Sequence, residues 1–186
     1  MAAKEAWALI TGVSQGGLGD ALTTELLARN INVIATNIRL EDMQYLSSTP
    51  STSRTAARLE KLQLDVTDPE SIATARDATA KLTGGKLDYL FNNAGYGYMM
   101  PLLDCSIEGM RKNFDVNVFG LLAVTQALFP LLREAGGIVV NQSSIAVRRC
   151  LFPLNRATLF LLPMLIDWGL LGFVGDVSAF HRELPG

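Results

Sequence analysis

Short apolar runs alternate along the chain with stretches of helical periodicity. Ala6-Trp7-Ala8-Leu9-Ile10 is continuously apolar, and Asp20–Leu27 follows it, with Leu18, Leu22 and Leu26 recurring every fourth residue. That spacing puts one apolar stripe on a helix, as docking on a sheet requires. Ile31–Ile38 is almost wholly apolar, the pattern of a strand buried on both faces. A short polar helix and a Ser/Thr-rich loop are expected over Leu40–Ala57, and KLQLDV at Lys61–Val66 reads as a third strand. Asp68-Pro69 opens a second helix, an N-cap acceptor followed by proline in the first turn, which runs to Leu82 and ends at Thr83-Gly84-Gly85. Leu87–Phe91 is the fourth strand. Ser106–Glu134 reads as one long helix with Met110, Phe114, Val118 and Leu121 on a stripe; Gly136-Gly137 ends it and Ile138–Val140 is the fifth strand.

Strands alternating with helices predict an α/β fold, a doubly wound parallel sheet with helices on both faces. In such sheets ligands bind at the carboxyl ends of the strands. The polar and glycine-rich segments fall at those ends: Thr11–Gly19 after the first strand, Asn37-Ile38-Arg39 after the second, Asp65 at the third, Asn92–Gly95 after the fourth and Ser143-Ser144 after the fifth.

TGVSQGGLG at 11–19 carries the most chemistry. A strand, a glycine-rich turn and a helix in that order point backbone N–H groups and the positive end of a helix dipole at an anion. Gly12 is expected at the sharp exit from the strand. Gly17 would let a pyrophosphate approach the backbone, Gly19 would let the helix pack close to the first strand, and the Ser14 hydroxyl could donate to a phosphate. The plainer alternative is a tight strand-to-helix turn without a ligand. The βαβ pattern that starts there favours the anion site.

Composition narrows the function classes. The 186 residues suffice for one domain with a sizeable core. Hydrophobic residues make up 49%, and mean hydropathy is +0.25, which argues against disorder. Formal charge is -2 with an isoelectric point near 5.4 and no basic patch beyond the pair Arg148-Arg149, so nucleic acid is not an expected partner. Cys105 and Cys150 are too few for a disulfide framework and fit a reducing compartment. With His181 as the single histidine, metal ligation and histidine catalysis are not expected. Met1–Glu5 leads straight into a strand-like run with no cleavage pattern, so no secretory signal is expected.

Together, TGVSQGGLG, LDV at 64–66, NNAG at 92–95, Asn117 within FDVNVFG and NQSS at 141–144 resemble the short-chain dehydrogenase/reductase family in order and spacing. The resemblance covers roughly residues 4–147 and implies a Rossmann-like NAD(P)-binding domain over 1–147, with 148–186 a divergent apolar tail rather than a second domain. GGLG in the turn and GYMMPLLD at 97–104 resemble a subgroup, the fungal NADPH-dependent 1-acyldihydroxyacetone-phosphate reductases. Carried over by position, Gly12, Ser14, Gly17, Leu18 and Gly19 would hold the pyrophosphate. Asp65 and Val66 would contact the adenine. Asn93, Ala94 and Gly95 would line the ribose side, the plainer role of Asn93 being to brace the fourth strand. Ser144 would hydrogen-bond a substrate carbonyl. Asn117 would belong to a water-linked proton relay or, alternatively, satisfy backbone groups inside its own helix. Asn37 stands where an acid would favour NAD; Arg39, one residue beyond the subgroup's expected arginine position, could reach a 2′-phosphate. NADP is therefore the expected cofactor and NAD the less favoured one.

The family chemistry also needs a tyrosine with a lysine four residues on, the lysine lowering the phenol's pKa. That pair is expected near position 157, where Leu154–Leu161 reads LNRATLFL. No tyrosine follows Tyr98 and no lysine follows Lys112. Tyr96 and Tyr98 are poor substitutes. The abrupt change after Val147 suggests a frame change, retained intron or gene-model error ahead of a degenerate paralogue. The sequence therefore predicts a carbonyl-reducing oxidoreductase, with a small-molecule and lipid-like ketone as substrate, whose catalysis is impaired. The alternatives are a non-catalytic nucleotide-binding or interaction protein and a truncated gene product. Leu151–Val174 is apolar, but Asp167, Pro163, Gly169 and Gly172 weigh against a membrane span. Peripheral membrane contact through this tail, a homodimer through the 106–134 helix, and a cytoplasmic location beside endoplasmic reticulum or lipid droplets complete the expectations.

Overall fold

The computed structural model describes residues 5–46, 57–98 and 102–143. Five strands form one parallel sheet: β1 (Trp7–Ile10), β2 (Asn32–Asn37), β3 (Leu59–Gln63), β4 (Tyr89–Asn92) and β5 (Ile138–Asn141), in the order β3-β2-β1-β4-β5. The order reverses at β1, which pairs β2 on one side (Leu9 with Ile34) and β4 on the other (Leu9 with Leu90). A reversal of this kind opens a crevice at the carboxyl ends of the two central strands.

Alternation along each strand divides the core in two. Leu9, Ile34 and Leu90 face one side, where they pack with Ile72 and Ala75 of α2 (Pro69–Thr83) and Val124, Leu128 and Leu132 of α4 (Leu121–Ala135). Ile10, Val33 and Ala35 face the other, with Val13, Met43 and the partly buried Leu22, Leu26 and Leu27 of α1 (Leu18–Ala28). Burial on both faces explains the unbroken apolar run of β1 and the Val33-Ile34-Ala35 centre of β2.

Four details depart from the sequence reading. The third strand is 59–63 rather than 61–66; Leu64 and Val66 lie past the ladder, buried in the core. The apolar stripe of α1 is Leu22, Leu26 and Leu27 with buried Gly19 and Thr23, while Leu18 is 48% exposed at the helix start. Only Leu40–Met43 of the 40–57 segment is helical among the described residues, as a 3-10 turn. The long helix is continuous from Ile107 to Ala135 but changes to a π-helical turn over Asp115–Gly120, between α3 (Ile107–Phe114) and α4. A Cβ on Gly120 would sit 2.7 Å from Val66 Cγ2 and 3.0 Å from Val66 O, so the glycine allows this turn to close on the segment after β3. Ser144 and the tail 148–186 lie outside the described residues.

Candidate functional site

The end of β1 and the end of β4 are joined by a dense set of short contacts. The Thr11 hydroxyl accepts the N–H groups of Asn93 at 3.0 Å and Ala94 at 2.9 Å. The Asn93 side-chain amide donates back to the carbonyls of Thr11 at 2.9 Å and Gly12 at 3.0 Å. Gly12 has φ +68°, and a Cβ there would lie 2.6 Å from Ala94 Cα. The glycine turn and NNAG are thus one unit, and the Asn93 side-chain amide braces the turn from the end of β4.

The rest of the turn faces outward. Ser14, Gln15 and Gly16 are exposed; Gly16 has φ +73° and open space where a Cβ would be. Gly17 N–H donates to Ser14 O at 3.0 Å, and a Cβ on Gly17 would meet Ser14 O and Oγ at 3.1 Å, so the room left by this glycine is taken up by Ser14 itself. Gly19 serves a different approach from the one expected: a Cβ there would meet Asn93 Nδ2 at 2.9 Å and Val13 Cα at 3.2 Å, in the turn rather than the strand. Gly17 is the N-cap of α1 and offers no side-chain acceptor, so the first-turn N–H groups of the helix point into the turn, as an anion site needs. These features fit a pyrophosphate: open backbone, exposed hydroxyl and helix N-terminus at one point.

Around this centre the expected residues occupy neighbouring strand ends. Asn37 Nδ2 donates to Val13 O at 2.6 Å, which turns its amide toward the glycine turn. Arg39 is exposed, and its Nε and Nη2 donate to Asp42 Oδ2 at 3.1 and 3.0 Å. Asp65 Oδ1 accepts both N–H and O–H of Thr67, at 2.8 and 2.7 Å. Val66 is 7% exposed and packed in the core beside Gly120, so its side chain is a wall and its backbone is what it can offer a ligand.

On the other side of β4, the Asn117 side chain reaches out of its helix to the loop that follows the strand. Its Oδ1 accepts Tyr96 N–H at 3.0 Å and its Nδ2 donates to Tyr96 O at 2.9 Å. The same carbonyl accepts Asn113 Nδ2 at 2.8 Å. Asn117 therefore satisfies backbone groups, though in the loop after β4 and not inside its own helix. Asn113, 1% exposed, was overlooked; a polar residue four positions before Asn117 between Met110 and Phe114 was its signal. Tyr98 is held at the start of α3: Ser106 N–H donates to its hydroxyl at 3.3 Å. The Tyr96 side chain is largely exposed. Lys112 pairs with Glu108 at 2.7 Å, and that hydrogen bond, with the charge behind it, holds the ammonium above the ordinary lysine range.

Comparison with known proteins agrees with this geometry. The family model for short chain dehydrogenases matches residues 6–152. A short-chain dehydrogenase of Penicillium crustosum is 44% identical over 138 residues, 74% of this chain and 48% of that protein. The NADPH-dependent 1-acyldihydroxyacetone phosphate reductase of Schizosaccharomyces pombe is 38% identical over 141 residues, 76% of this chain and 45% of its own length. A crystal structure of a short-chain dehydrogenase from Streptomyces avermitilis superposes with TM-score 0.69 at 33% identity, over 79% of this chain and 52% of that one. The chain spans about half the length of the curated relatives it matches. With the 3-2-1-4-5 sheet and the joined glycine and NNAG segments, these matches make the chain a member of the short-chain dehydrogenase family.

Proposed function

We propose that residues 5–143 are the cofactor-binding part of an NADP(H)-dependent carbonyl reductase acting on a lipid-like ketone such as 1-acyldihydroxyacetone phosphate. The observation that carries the reading is the contact of Gly12 with Ala94, which sets the anion turn beside the NNAG loop at the reversal of the sheet. The pyrophosphate is assigned to the turn Gly12–Gly19, with Ser14 and the N-terminus of α1; the adenosine to the side of Asn37, Asp65 and Val66; the nicotinamide half to Asn93–Gly95. NADP is favoured because Asn37 offers no carboxylate to a ribose hydroxyl and Arg39 stands nearby to meet a 2′-phosphate. The relative in Schizosaccharomyces pombe is NADPH-dependent by name, which supports the same choice. When bound, the nicotinamide supplies the hydride. Ser144 is assigned to the substrate carbonyl. Asn117, whose side-chain amide holds Tyr96, is assigned to the substrate side of the cleft, where a water-linked proton relay would run.

A second reading has its own observation. The sequence holds no tyrosine after Tyr98 and no lysine after Lys112, and Tyr98 is engaged at the N-terminus of α3. A nucleotide-binding protein without turnover fits that chemistry. Homodimerisation through the 106–134 helix is supported by Phe119 and Leu122, 58% and 49% exposed. A cytoplasmic location with peripheral membrane contact belongs to the same proposal.

Fluorescence titration with NADPH and NADH, followed by ketone reduction assays, separates the readings. Saturable NADPH binding with turnover lost in Ser144→Ala supports the reductase. Binding without turnover of any ketone supports the second reading. Absence of binding to either nucleotide removes both.

A further inference from the structure

The anion turn already contains an anion. Gly17, the N-cap of α1, has no side chain to cap the helix, and Asp20 in the first turn reaches back four residues instead. Its Oδ2 accepts Gly16 N–H at 2.9 Å. This resembles a capping box in which the acid bonds one residue beyond the N-cap. The carboxylate therefore lies at the positive end of the helix, on a backbone donor of the turn that would meet a phosphate. On its inner side stands Tyr45, whose hydroxyl is sealed from solvent with no partner of good hydrogen-bond geometry. Burial first, and the adjacent Asp20 charge second, push this phenol up to about 12. Asp20 is thus tied to the turn by its bond to Gly16 N–H, with the Tyr45 phenol beside it.

We infer that Asp20 is an affinity-setting residue of the phosphate turn: its oxygen holds Gly16 in place while its charge opposes the incoming dinucleotide. The inference rests on the cofactor reading above. An amide at position 20 keeps an acceptor for Gly16 N–H and removes the charge, so Asp20→Asn separates the two effects. Glu25, on the exposed face of the same helix and paired with Arg29 at 2.6 Å, supplies a control with the same change in net charge.

The test is NADPH titration of the full chain and its variants at low and high salt, with a melting curve for each. Asp20→Asn is expected to tighten binding about two- to fivefold at low salt, with the gain fading as salt screens the charge. Glu25→Gln is expected to leave the dissociation constant unchanged. Binding by Asp20→Asn where the natural chain shows none also supports the inference. Equal or weaker binding by Asp20→Asn, or an equal gain from Glu25→Gln, overturns it and leaves the cofactor reading standing. Absence of binding in every form ends both. Should Asp20→Asn lose its cooperative melt, Asp20→Ser gives the same comparison with a shorter neutral acceptor.

Discussion

Asn117 grips Tyr96 at two points, accepting its N–H at 3.0 Å and donating to its carbonyl at 2.9 Å. This pairing ties the loop after β4 to the π-helical turn and fixes the path of the chain there. Replacing Asn117 by Ala leaves both Tyr96 groups without these partners. The expected loss is about 1–3 kcal/mol in urea unfolding. Asn117→Asp is expected to lose less, since a carboxylate still accepts the N–H, though it cannot donate to the carbonyl.

Gly12 and Gly16 share a left-handed backbone but not a neighbourhood. A Cβ on Gly16 meets nothing within 4 Å, whereas on Gly12 it would lie 2.6 Å from Ala94 Cα. Gly16→Ala is therefore expected to show only the backbone cost, about 1–2 kcal/mol. Gly12→Ala adds a clash with main chain that cannot yield without parting β1 from β4. It is expected to abolish a cooperative melt or NADPH binding, read by calorimetry and titration.

Gly19→Ala tests the bracing role of Asn93. The added methyl would press on Asn93 Nδ2 at 2.9 Å, an atom already bonded to Thr11 O and Gly12 O. Yielding breaks those bonds, so a cost of about 1–3 kcal/mol is expected. Asn93→Ala in the Gly19→Ala background should then cost little more than either change alone, a non-additivity that a double-mutant cycle measures directly.

Arg39 pairs with Asp42 on an exposed surface, so the pair itself contributes little to stability. Its expected role shows only with a 2′-phosphate present. Arg39→Ala should weaken NADPH binding about tenfold, the size of one charge-assisted contact, and leave NADH binding unchanged. Asp42→Asn frees the guanidinium and should tighten NADPH.

Tyr45 gives a pH signature. Its phenol is pushed up to about 12, above the ordinary value of 10.0, by burial and then by Asp20. The folded state therefore keeps this proton after the unfolded chain has released it. The stability it brings is full below pH 10.0 and declines as pH rises toward about 12. Tyr45→Phe should flatten that decline, measured by urea unfolding across the alkaline range.

Much of this molecule was legible in its residues. The apolar runs of β1 and β2 and the Asp68-Pro69 start of α2 are local signals, and the structure repeats them, with Asp68 accepting Glu70 N–H at 3.0 Å. The glycine turn and NNAG were readable as chemistry because the βαβ rhythm puts both at carboxyl ends of parallel strands, where such sheets bind ligands. KLQLDV misled by three residues at the strand's end because Leu64 and Val66 are apolar for the core, while the residue pairing with β2 ends at Gln63. Periodicity alone cannot tell the two kinds of burial apart.

The sequence by itself determined the alternation of strands and helices, the parallel sheet and the position of the anion turn, because periodicity, caps and turn residues act over a few positions. It also determined that no tyrosine follows Tyr98 and no lysine follows Lys112 in these 186 residues. Tertiary structure decided which groups meet. The Asn93 amide lies on the Gly12 carbonyl, 81 residues away, and the Asn117 amide on Tyr96, 21 residues away. Asp20 is the subtler case, since it bonds Gly16 only four residues back, yet the fold brings Tyr45 beside it from beyond β2. Hydrogen bonds are short-ranged and directional, so which polar side chain braces the backbone and which faces a ligand is settled only when the sheet brings their ends together.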